Sequence, residues 1–131
     1  AIAYARSEFI SQPSLALAYR LAQLYASETK DREAVEVLKI IRFMTSYSPD
    51  DFVLIQKIAN FLHTRGESEM AFNIYKNLLE ERDLDKQLKI ALFQGGARIA
   101  VTQNEPVIAS RWNLEASKLK SPPTPRPANK K

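Results

Sequence analysis

The chain has 131 residues, 45% of them hydrophobic, which suits one domain with a sizeable buried core. It has no cysteine, so disulfides, thiolate zinc sites and cysteine nucleophiles are all excluded, and the composition fits a reducing compartment. The formal charge of +4 belongs to the C-terminal end. From Lys118 onward there are five basic residues and no acid, which leaves residues 1–117 at −1. A nucleic-acid binder needs a basic folded face, and the near-neutral body argues against that partner.

The first clear helix signal is Ser11-Gln12-Pro13, a serine cap with a proline in the first turn. It predicts a helix over 13–28 with Leu17, Leu21, Leu24 and Tyr25 on one face. A second helix is predicted over 31–45 on Val35, Leu38, Ile40 and Ile41. Ser48-Pro49-Asp50-Asp51 repeats the start signal, and its two acids favour the positive end of a helix dipole. It opens a helix over 49–64 with Ile55, Ile58, Ala59 and Leu62, closing near Gly66. The next helix, 67–82, carries Ala71, Ile74, Tyr75, Leu78 and Leu79. Leu88, Leu92, Ile99 and Ala100 mark 85–102. Asn104-Glu105-Pro106 opens 105–119, with Ile108, Trp112, Ala116 and Leu119. Short loops make consecutive helices antiparallel neighbours, so the predicted fold is all-α. Segment 120–131 holds four prolines between positions 122 and 127 and reads as a disordered basic tail.

The pattern repeats. Ala34 to Ala71 is 37 residues and Ala71 to Ala109 is 38, with two helices in each unit. The second unit resembles the tetratricopeptide repeat. Ile55, Ile58, Ala59 and Leu62 match its large-large-small-large first helix, Gly66 its turn, and Ala71, Tyr75 and Leu78 its second helix. The first unit matches through Leu21, Ala22, Tyr25, Ala34, Leu38 and Ile41, with Thr29 in place of the turn glycine. The third is weaker: Phe93, Gly96, Ala97, Ala100, Ala109 and Ala116 fit, but Asn113 stands where an aromatic is expected. The units run three or four residues longer than the family's usual period. The resemblance covers roughly residues 14–119 and implies a short right-handed solenoid of about three degenerate hairpins. In that register residues 1–12 are either the closing turns of an earlier helix or an N-terminal cap. The first alternative makes the chain a fragment of a longer protein. The second fits a complete small protein that lost its methionine.

Catalysis finds little support. His63 is the only histidine and, without cysteine, lacks the partners of a metal site or a nucleophile–base pair. Asp50 and Asp51 read as capping residues. Gln94-Gly95-Gly96-Ala97 has neither the lysine nor the preceding strand of a phosphate loop, so its glycines read as close helix packing. No catalytic residue, metal or cofactor is assigned. The resemblance implies a binding groove lined by the first helix of each hairpin. Its residues here are Tyr19, Gln23 and Ala26; Val53, Gln56, Asn60, His63 and Thr64; and Gln94, Arg98 and Val101. The family's carboxylate clamp is largely missing, because Ala91 and Gly95 replace its basic residues and Asn60 alone would fit.

The leading expectation is therefore a scaffold or adaptor that binds another protein or peptide. The alternatives are a small bacterial secretion chaperone that cradles a secreted subunit, and a nucleic-acid binder that acts through the tail. Trp112 and Leu119 are expected to form an apolar end surface covered by a second copy or by the natural partner, the alternative being that Trp112 packs inside its own hairpin. No apolar run nears the roughly 18 residues of a membrane span. The expected location is the cytoplasm, or the soluble part of a longer protein whose anchor lies elsewhere.

Overall fold

The computed structural model describes residues 1–39 and 48–120. Among them lie seven α-helices and no strand. They are α1 (Ile2–Ser11), α2 (Leu15–Ser27), α3 (Asp31–Leu38), α4 (Phe52–Thr64), α5 (Ser68–Leu78), α6 (Lys86–Thr102) and α7 (Pro106–Lys120), with a 3₁₀ turn at Pro49–Asp51 leading into α4. The expected continuation of α3 through residue 45 and the expected tail beyond 120 lie outside the described residues.

Local chemistry sets the helix starts. The Ser48 hydroxyl accepts from the Asp50 amide (3.2 Å) ahead of Pro49, as its sequence suggests. Pro106 is the first residue of α7, where its missing N–H costs nothing. One start differs from the sequence reading. Ser11 closes α1, and the cap of α2 is Ser14, whose hydroxyl accepts from the Leu17 amide (3.1 Å). Pro13 thus sits between two helices. At the start of α6, Asp85 is a cap whose carboxylate accepts from the amides of Gln87 (3.1 Å) and Leu88 (3.3 Å).

Three hairpins, α2–α3, α4–α5 and α6–α7, share one turn geometry. Each first helix is followed by a left-handed residue: Thr29 (φ 59°), Gly66 (φ 88°) and Asn104 (φ 58°). The next amide reaches back five residues in every case, from Lys30 to the Tyr25 carbonyl, Glu67 to Leu62 and Glu105 to Ala100, each at 2.9 Å. The buried alanines Ala34, Ala71 and Ala109 then begin the second helices' hydrogen bonding, to Lys30, Glu67 and Glu105 respectively. A left-handed conformation strains threonine but not glycine. Thr29→Gly is expected to raise stability by about 1 kcal/mol, read as a higher urea midpoint. A lower midpoint would show that the Thr29 hydroxyl, which donates to the Glu28 carbonyl, outweighs the strain.

The hairpins share one core. α2 packs on α4 and α4 on α6, so the first helices are neighbours, and α1 lies against α2. Small residues allow these approaches: Ala18, Ala22, Ala59, Ala71 and Ala100 are fully buried. Leu21, Leu38, Ile55, Ile58, Leu62, Tyr75, Leu78, Leu92 and Ile99 fill the space between them. Replacing a buried small residue overpacks this interior, so Ala71→Leu should destabilise by about 1–3 kcal/mol in urea melts.

Candidate functional site

The shared turns put the first helices in register, so residues 37 or 38 positions apart occupy equivalent places. On the outward side of α2 these are Ala16, Arg20, Gln23 and Ser27; on α4 they are Val53, Lys57, Asn60 and Thr64. All eight are exposed. The equivalent α6 positions are Ala91, Gly95, Arg98 and Thr102, of which Arg98 and Thr102 are exposed. The three hydroxyls at the bottom of the stripes behave alike. Each folds back onto its own helix, Ser27 donating to the Leu24 carbonyl (2.7 Å), Thr64 to Phe61 (2.8 Å) and Thr102 to Arg98 (3.3 Å). The polar side chains above them are Arg20 and Gln23 on α2, Lys57 and Asn60 on α4, and Arg98 on α6.

One amide is fixed from beneath. Tyr75 of α5 is fully buried, and its hydroxyl donates to Asn60 Oδ1 at 2.7 Å. That bond orients the amide. The oxygen faces the tyrosine, and the Nδ2 donors take no part in that bond. Tyr75 can lie so close to α6 because Gly95 and Gly96 have no side chains. A Cβ on Gly95 would stand 2.8 Å from the tyrosine oxygen, and one on Gly96 would stand 3.1 Å from its ring. Burial raises the Tyr75 pKa above its ordinary 10.0, against the lowering effects of hydrogen bonding to Gln56 and Asn60 and of the Arg98 charge. A raised folded-state value means that the unfolded chain ionises first. Tyr75 therefore adds stability below about pH 10 that is lost as pH rises through its folded-state value. Stability should fall above pH 10, and Tyr75→Phe should flatten that part of the profile.

The other expected groove residues are distributed around these stripes. Gln56 and Gln94 are half-buried at equivalent positions of α4 and α6. Gln23 is exposed, whereas Tyr19 is half-buried and meets Phe61 edge-on (centroids 6.0 Å apart). Ala26 is half-buried; Val53 and Val101 are 49% and 66% exposed. His63 Nδ1 lies 2.8 Å from the Ser68 hydroxyl across the hairpin turn, so its ring spans α4 and α5. Neither Arg20 nor Lys57 was among the residues expected to line a groove, and both are exposed on these stripes. The signal for Lys57 was its position, 37 residues after Arg20 on the same face.

Trp112 is placed differently from the sequence expectation. It is 8% exposed, lies 5.7 Å from the Phe72 ring and 6.5 Å from that of Phe93, and covers Gly96. It is therefore a core residue of the third hairpin and not an open end surface. Leu119 is half-buried and packs against the core, and the exposed apolar side chains of α7 are Val107 (74%) and Leu114 (54%).

A shallow depression of about 200 Å³ lies between α3 and the α4–α5 turn, lined by Asp31, Arg32, Val35, Glu36, Lys39, Arg65 and Glu67. Its Arg65 is already occupied by the Asp31 carboxylate (3.6 Å) and the Phe61 ring (3.7 Å). Among the described residues no group of three or more His, Cys, Asp or Glu side chains gathers as metal ligands, and no helix is long and apolar enough to cross a membrane. Comparison with family models, with curated proteins and with solved structures returns no match.

Proposed function

We propose that the chain is a protein-interaction module of tetratricopeptide-like design, in which the stacked hairpins present α2, α4 and α6 to an extended segment of a partner protein. The observation that carries this reading is the in-register polar stripe, Gln23, Asn60 and Arg98, whose central amide is oriented from below by Tyr75. An extended peptide exposes unpaired backbone carbonyls and amides, and donors fixed in place bind them without first losing side-chain freedom. Each such hydrogen bond contributes about 0.5–1.5 kcal/mol. Several across three helices would give a specific but reversible complex. The role is binding rather than catalysis. As an adaptor of this kind the chain would act in the cytoplasm or as the soluble part of a longer protein.

The test is selection of peptides from a random displayed library against the whole chain, followed by Asn60→Ala and Gln23→Ala. Both residues are exposed, and because Asn60→Ala also removes the acceptor of the Tyr75 hydroxyl, its urea melt is read beside its binding. Each variant should weaken the selected peptides by about fivefold to tenfold, whereas Asn73→Ala on the exposed side of α5 should leave them unchanged. Peptides insensitive to the stripe and sensitive to Asn73 would place the ligand on the second helices and end this reading.

A further inference from the structure

The chain contains 15 acidic residues, yet α2, α4 and α6 contain none. The carboxylates sit in the turns and on the other helices, for example Asp31, Glu33 and Glu36 on α3, Glu69 on α5 and Glu115 on α7. The first helices carry Arg20, Lys57, Lys86, Lys89 and Arg98. Arg20, Lys57 and Arg98 belong to the outward stripes, one from each helix. Arg20 meets Glu8 of α1 at 4.0 Å. Lys57 and Arg98 meet no carboxylate among the described residues.

We infer that the partner segment is an acidic peptide lying across α4 and α6, with two carboxylate side chains three residues apart answering Lys57 and Arg98. This rests on the peptide-binding reading above and adds the chemistry of the ligand. The spacing follows from geometry. Packed helix axes lie about 8–10 Å apart, and a chain in the polyproline II conformation advances about 3.1 Å per residue and returns every third side chain to the same face. Side chains three residues apart therefore reach neighbouring helices. Val53 and Val101 offer apolar contact beside the charges, and Asn60 supplies donors for the peptide carbonyl between them. Nucleic acid fits less well. The stripe has only three cations, the body of the chain is near neutral, and the one aromatic at its side, Tyr19, is engaged with Phe61.

The experiment uses the full chain and three labelled probes of equal net charge: a peptide with two glutamates three residues apart, the same composition with adjacent glutamates, and a short single-stranded oligonucleotide. The spaced peptide should bind most tightly. Lys57→Glu and Arg98→Glu should each weaken it by about tenfold, and Lys57→Gln and Arg98→Gln by less, with helical circular dichroism unchanged. Equal binding of the adjacent-glutamate peptide, or tighter binding of the oligonucleotide, overturns the inference. If library selection instead returns uncharged peptides that depend on Asn60, the acidic ligand is wrong and the binding surface stands. If no peptide depends on the stripe at all, both fall together.

Discussion

Trp112→Ala is expected to cost about 3–5 kcal/mol, the largest loss of any single substitution proposed for this chain. The indole lies between Phe72 and Phe93 and against Gly96, so it joins α5, α6 and α7. Its removal leaves a cavity lined by rigid rings and helix backbone, which cannot collapse cheaply. The third hairpin has no further hairpin beyond it among the described residues, so it should loosen first. Hydrogen exchange should show α7 amides losing protection before those of α4. Because this is the chain's one tryptophan, the wild-type protein also carries its own reporter. Its emission should be blue-shifted when folded and move to the red in a single urea transition. A water-exposed spectrum in the native state would contradict the burial described here.

Gly96→Leu is expected to destabilise by about 3 kcal/mol, the upper end of the usual overpacking range. Even the first added atom has no room. A Cβ at Gly96 would stand 2.8 Å from Trp112 Cζ3, 2.9 Å from its Cε3 and 3.1 Å from the Tyr75 ring. These are edges of buried aromatic rings, which cannot swing away as the end of a lysine would. Gly96→Ala is the milder arm. It regains about 1 kcal/mol of helix propensity, so its net cost should be clearly smaller. At Gly95 the nearest atom is the Tyr75 oxygen, at 2.8 Å. Gly95→Ala should therefore act on the Tyr75–Asn60 hydrogen bond, and so on ligand binding, more than on stability. Paired urea melts and peptide titrations of the two alanine variants separate these effects.

The helices were readable because punctuation and periodicity agreed at most boundaries. Pro49 and Pro106 fix φ where a helix can start, and Gly66 takes a left-handed φ that other residues adopt only with strain. The boundary at Ser11 was misread because two serines flank Pro13, and only the folded chain shows which one caps; Ser14 does. Thr29 could be placed at the first turn by register alone, although its type argues against a left-handed conformation. The burial of Trp112 was legible only as the less favoured alternative. Its helical face looked as apolar as any surface awaiting a partner, and the slot that receives it is made by glycines on another helix. Gln23, Asn60 and Arg98 are exposed at equivalent places of α2, α4 and α6. The bond that orients Asn60 comes from Tyr75, fifteen residues away, whose visible role was packing.

The most direct test of the account is a two-dimensional NMR titration of the full chain, labelled with nitrogen-15, with the acidic peptide whose glutamates are three residues apart. The account predicts shifts concentrated at the backbone amides of Lys57 and Arg98 and at the side-chain amides of Gln23 and Asn60, with α3, α5 and α7 largely unmoved. Shifts confined to α7 around Val107 and Leu114, or spread evenly over the chain, would contradict it.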